Sequence, residues 1–107
     1  PALALEITVR DSGIEVGDRN AGLLKRFESG SDGYDYEGLG AYLDDVKRQF
    51  PEKTDATVLL EPDIAYEVVV AVMDKVRVAE RVDEATSRVV ETELFPDISI
   101  GDAPLGN

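Results

Sequence analysis

Ala56-Thr57-Val58-Leu59-Leu60 runs through Glu61-Pro62-Asp63 into Ile64-Ala65-Tyr66-Glu67-Val68-Val69-Val70-Ala71-Val72-Met73-Asp74, and the change of period across that junction decides the fold. The first five residues form a short apolar run between Lys53-Thr54-Asp55 and Glu61-Pro62-Asp63, the pattern of a buried central strand. Beyond the turn, Tyr66, Val69, Met73 and Val76 fall on one helical stripe, with Glu67, Asp74 and Arg77 elsewhere. The β-branched cluster Val68-Val69-Val70 pulls locally towards strand, but the spacing over the whole stretch predicts a helix whose stripe enters the core.

Upstream, Leu39, Leu43, Val46 and Phe50 recur at helical spacing, with Tyr42 beside them and Asp44, Asp45, Lys47 and Arg48 on the other side. This is an amphipathic helix with Asp35 as its N-cap, stopped at Phe50 by Pro51. Near the start of the chain, Leu3, Leu5, Ile7 and Val9 alternate with Ala4, Glu6, Thr8 and Arg10. Asp11-Ser12-Gly13 supplies a turn and Ile14-Glu15-Val16 alternates again, so a β-hairpin is predicted. Between hairpin and helix the pattern is mixed: Ala21 to Phe27 reads as one or two helical turns, and Ser29-Gly30-Ser31-Asp32-Gly33 as a mobile connector. Downstream, Arg77 to Val82 and Arg88 to Leu94 read as an exposed hairpin across Asp83 to Ser87. Phe95-Pro96 breaks that pattern. Asp97-Ile98-Ser99-Ile100-Gly101 then alternates as a last strand with Ile98 and Ile100 inward, ahead of a tail from Asp102 containing Pro and Gly.

The resulting order, ββαβα(ββ)β, places two helices on one face of a small mixed sheet, an α+β two-layer fold. A chain of 107 residues has room for one core, so residues 1–107 are read as a single domain. Beginning at Pro1 rather than Met, it is read as a processed or trimmed piece.

Composition narrows the chemistry. There is no Cys and no His, which removes disulfides, thiolate nucleophiles, the usual zinc sites and imidazole catalysis. Eleven Lys and Arg stand against 23 Asp and Glu, a formal charge of −12, which repels phosphate backbones and anionic lipid alike. Nucleic acid is therefore excluded as a partner class. Hydrophobic content of 43% argues against disorder, and the longest uncharged apolar stretch, Val68 to Met73, is far too short to cross a membrane.

The local motifs divide between functional and structural readings. Asp32-Gly33-Tyr34-Asp35-Tyr36-Glu37 is acidic but lacks the register of a calcium-binding loop, so no metal site is assigned. Asp11-Ser12-Gly13 is similar to the carrier-protein Asp-Ser-Leu site, yet that Ser opens a helix and this one sits in a turn. Glu61 and Asp63, at the end of the central strand, are either a recognition pair or, respectively, a solvated carboxylate and the cap of the second helix. No pair of carboxylates suited to glycoside hydrolysis is identifiable, so no catalytic residue is assigned.

The segment Leu59 to Asp74 resembles the ExbD/TolR biopolymer-transport family, whose pattern is a strand, an Asp-containing loop, a Pro-Tyr helix start and a Val-Val-x-Val-Met-Asp helix. Asp63, Tyr66, Val69, Val70, Val72, Met73 and Asp74 match, while Ala65 stands where the family commonly has Pro. The first hairpin, the Leu39/Leu43 helix and Leu94 to Ile100 also resemble the family's periplasmic domain; Leu23 to Gly33 and Arg77 to Leu94 depart from its short members. The resemblance implies a non-enzymatic, cofactor-free periplasmic domain of a Gram-negative inner-membrane complex driven by proton motive force. A single transmembrane helix, outside this chain, would anchor it beside an ExbB/TolQ-like channel protein. It would dimerise and recognise a TonB-like protein or peptidoglycan. The partner-binding residues taken from these readings are Glu61, Asp63, Tyr66, Asp97, Ile98, Ser99 and Ile100, with homodimerisation through the last strand or the first hairpin. The rival reading is a stand-alone acidic adaptor that binds protein partners without any membrane motor.

Overall fold

The computed structural model describes residues 2–104; the rest of the tail, beyond residue 104, and Pro1 lie outside the described residues. The elements are β1 (Leu5–Arg10), β2 (Gly13–Asp18), β3 (Gly22–Glu28), α1 (Tyr36–Gln49), β4 (Asp55–Leu60), α2 (Tyr66–Arg77), β5 (Val78–Asp83), β6 (Arg88–Glu93) and β7 (Asp97–Asp102). β1 to β4 and β7 form a mixed sheet in the order β3-β2-β1-β4-β7, while β5 and β6 pair as a separate two-stranded sheet. The β1-β2-β3 meander is antiparallel, whereas β1, β4 and β7 run parallel, joined by crossovers through the helices.

This is the α+β arrangement with both helices on one face of the sheet. Leu5, Ile7 and Val9 of β1, Ile14 and Val16 of β2 and Ala56 and Val58 of β4 supply the sheet side of the core. Leu39, Leu43 and Val46 of α1 and Val72 and Val76 of α2 close it from above. β4 takes the interior position its apolar run predicts, but it alternates in burial because, among the described residues, no helix covers the opposite face of the sheet. Asp35 caps α1 by accepting the Gly38 N–H at 2.9 Å, and the helix ends with Phe50 as C-cap before Pro51, with the Phe50 side chain partly exposed.

The structure corrects several expectations. Residues 22–28 form β3 rather than helical turns, so the observed order carries one more strand than ββαβα(ββ)β. Leu23, Leu24 and Phe27 fit a helical stripe as well as a strand; the free edge of β2 settles the choice by offering a ladder for Gly22 to Glu28. The connector folds into a closed turn, with Gly30 and Gly33 exchanging main-chain hydrogen bonds at 3.0 and 3.1 Å. In α2 Val76 is buried as expected, but the stripe is otherwise shifted: Val72 is buried and Val68 packs on the core, while Tyr66 is 81% exposed. Asp63 does not cap the helix, since the N-cap is Ala65, which makes no side-chain capping bond. In β7 Ile98 packs on the core as expected, but Ile100 is 56% exposed. Ile100 pairs with buried Val58 and so lies on the same face of the sheet as Val58 and Ile98, yet its side chain stays open to solvent.

Candidate functional site

Three surfaces offer chemistry to a partner: the β4–α2 junction, the outer edge of β7, and a groove beneath the β5–β6 hairpin.

At the junction, Glu61 follows β4 and turns back over the open face of the sheet. It accepts the Arg10 guanidinium at 2.9 Å and the Asp11 backbone N–H at 2.8 Å. Arg10 also bonds Glu15 at 3.2 Å and the Pro104 carbonyl at 3.1 Å, and Glu15 in turn takes Arg26 at 2.6 Å. One guanidinium thus ties the first hairpin, the β4 exit and the end of β7 together, because the planar fork presents several donors at once. The Asp11 N–H and then Arg10 hold the Glu61 carboxyl below the usual carboxylate range, and the Glu61 bond raises Arg10 above its ordinary value. Tyr34 closes the same corner by donating its hydroxyl to the Arg10 carbonyl at 2.7 Å, and its burial pushes that hydroxyl's pKa up.

Glu61 is therefore tied into the fold through Arg10 and the Asp11 N–H while its side chain stays partly exposed. Asp63 is exposed and sits at φ 70°, the left-handed region, which turns the chain sharply into α2. Tyr66 stands outward on the first turn of that helix. Arg10, Glu15, Arg26 and Tyr34 were not singled out from sequence. The register of the first hairpin would have placed Glu15 beside Thr8 on the open face of β1 and β2, but only the parallel crossover brings Glu61 to Arg10.

The last strand gathers Asp97, Ile98, Ser99 and Ile100 along one line. Asp97 lies opposite Asp55 at the start of β4, whereas Glu61 follows its end, so about 16 Å of strand separates Asp97 from the junction. The seven predicted residues thus divide between the β4–α2 junction and a line running along β7, rather than forming one patch. Asp97 and Ala103 donate their N–H groups to the carbonyls of Thr54 and Leu60 at 3.0 and 2.9 Å. The alternation of a parallel ladder then turns the N–H and C=O of Ile98, Ile100 and Asp102 away from β4, towards an edge that no other described strand covers.

The third surface is a groove of about 1270 Å³ between the two helices and the hairpin. Small residues, Gly40, Ala41, Ala71 and Ala79, line it together with Glu37, Glu80, Glu91 and Glu93, against the cations Lys75 and Arg77. Arg81 crosses from β5 to α1, where its Nε bonds Asp44 at 3.1 Å; the guanidinium holds the Asp44 carboxyl below its ordinary value. Among the described residues no cluster of acidic side chains has the geometry of a metal site, and no helix is long and apolar enough to cross a membrane. No family model, no curated protein and no solved structure matches this chain.

Proposed function

We propose that this chain is a non-enzymatic, partner-gripping domain of the ExbD/TolR kind. On this reading it belongs on the periplasmic side of a Gram-negative inner membrane. It couples a proton-driven ExbB/TolQ-like channel to a TonB-like protein or to peptidoglycan. The observation that carries the reading is the open edge of β7, where the outward main-chain groups of Ile98, Ile100 and Asp102 run beside the exposed Ile100 side chain. A strand from a second copy, running antiparallel about Ile100, would satisfy those groups and bring the two Ile100 side chains together across a two-fold axis. Support for the setting comes from the resemblance over residues 59–74 and from two helices packed on one face of a sheet.

The test is sedimentation equilibrium of the chain over a wide concentration range. Dimerisation is expected, strengthening with added salt because two bodies of charge −12 repel each other. Ile100→Pro removes one outward N–H at an edge position where Pro is tolerated, and should leave a folded monomer. A wild-type chain that stays monomeric at all concentrations, or a dimer indifferent to Ile100→Pro, would overturn the edge mode. Pull-down of the full-length gene product in detergent tests the motor; recovery without any polytopic membrane partner would favour the stand-alone adaptor.

A further inference from the structure

The β5–β6 hairpin plays no part in the edge at β7, yet its own outer edge is arranged for recognition. β6 is paired only with β5 among the described residues, so its second edge is also unpaired. Leu94 donates its N–H to the Arg77 carbonyl at 2.7 Å, which marks that pair as hydrogen-bonded. By the two-residue alternation of an antiparallel ladder, Thr92, Val90 and Arg88 then bond to β5, while the main-chain groups of Glu93, Glu91 and Val89 turn outward. The side chains of those same three residues share one face of the strand, and both glutamates line the groove. Glu80 lies directly opposite Glu91 across the hairpin, and none of Glu80, Glu91 and Glu93 is in an ion pair among the described residues. Two like charges placed face to face weaken a hairpin, so this carboxylate row costs the isolated fold something.

We propose that the outer edge of β6 binds an extended, basic segment of a partner protein as a third antiparallel strand. Read from its N-terminus, the segment carries a Lys or Arg opposite Glu93, a second opposite Glu91, and an apolar residue opposite Val89: basic-x-basic-x-apolar. The partner's main chain pairs with the outward groups of Val89, Glu91 and Glu93, and its cations neutralise the glutamates from directly across the new ladder. The chemistry also excludes a second copy. A chain of charge −12 presenting this same acidic edge meets carboxylate with carboxylate.

The probe is a fluorescein-labelled synthetic peptide, Thr-Lys-Thr-Lys-Thr-Val-Thr, compared with the same residues in reverse order. Anisotropy titration into the whole chain should give saturable binding that weakens with salt, at least fivefold tighter than for the reversed peptide. Amide NMR shifts should centre on residues 88–93. The double variant Glu91→Gln/Glu93→Gln should lose at least tenfold in affinity without loss of Tm, since it relieves the like-charge pair. Val89→Pro, which keeps every carboxylate and removes one outward N–H, should also lose affinity. Absence of saturable binding, equal affinity for the reversed peptide, or full affinity in either variant would overturn the proposal. None of these measurements involves β7, so the outcome is independent of the dimer edge.

Discussion

The two sheets of this molecule are built on opposite terms. The five-stranded sheet has one face sealed by α1 and α2, and its inward residues on β1, β2 and β4 are fully or almost fully removed from water. The β5–β6 hairpin contains no buried residue, carries Val82, Val89 and Val90 in the open, and sets Glu80 against Glu91. Its base is held by Leu94 and Phe95, whose side chains are buried and whose N–H groups bond the last turn of α2 at 2.7 and 3.0 Å. Stability therefore resides in the helix-covered sheet, and the hairpin is a rigidly based projection whose exposed residues are free to serve recognition.

The largest effect that would break this contrast lies at the joint. Phe95→Ala removes a fully buried aromatic ring and should cost about 3–5 kcal/mol in urea denaturation, whereas Val82→Ser at the hairpin tip should stay within about 0.5 kcal/mol of wild type. Next comes Gly13, where an added Cβ would stand 2.5 Å from the Phe27 carbonyl oxygen across the β2–β3 ladder. Gly13→Ala should cost more than about 1 kcal/mol and disturb the pairing of β3, measurable as faster amide exchange over residues 22–28. A smaller change is expected from Asp44→Asn, which cuts the tie between α1 and the hairpin. A loss of about 1 kcal/mol or less should appear with faster exchange in β5 and unchanged exchange in β1.

Acidity separates the regions again. The folded state holds the Glu61 and Asp44 carboxyls below their ordinary values of 4.5 and 3.8, so the unfolded chain binds protons more readily. The stability these groups contribute is complete above those values and is lost as pH falls through their folded values. Glu61→Gln should flatten that acid limb in a pH series of urea midpoints. The smallest effect sharpens the comparison from the other side. Glu91→Gln should raise stability by roughly 0.2–1 kcal/mol, because it removes a repulsion the fold tolerates.

Much of this architecture was legible in the sequence, for reasons that differ by element. The Leu5/Ile7/Val9 alternation, the Leu39/Leu43/Val46 stripe and the Asp35 cap are local signals, and local signals are what a sequence exposes. β3 was misread because Leu23, Leu24 and Phe27 fit both periods, although Asp18 and Gly22 mark a second hairpin turn: Asp18 bonds the Asn20 N–H at 3.0 Å and Gly22 adopts φ 95°. In α2 the apolar residues Val68, Val69, Val72, Met73 and Val76 offer two overlapping helical stripes, and packing selects the one that buries Val72 and Val76 and leaves Tyr66 outward. The Arg10–Glu61 bond spans 51 residues, and no spacing rule reports a contact made through a parallel crossover.

One consequence follows from β1, β4 and β7 lying side by side in the same direction. A pull that enters at the start of β1 and leaves through a strand attached along β7 slides these ladders lengthwise, so every rung resists together. The hairpin, with Val78 and Glu93 paired at its base, opens rung by rung like a zip when those two ends are drawn apart. Optical-tweezer traces taken along the two axes should therefore give a single high rupture for the first and an early, gradual extension for the second.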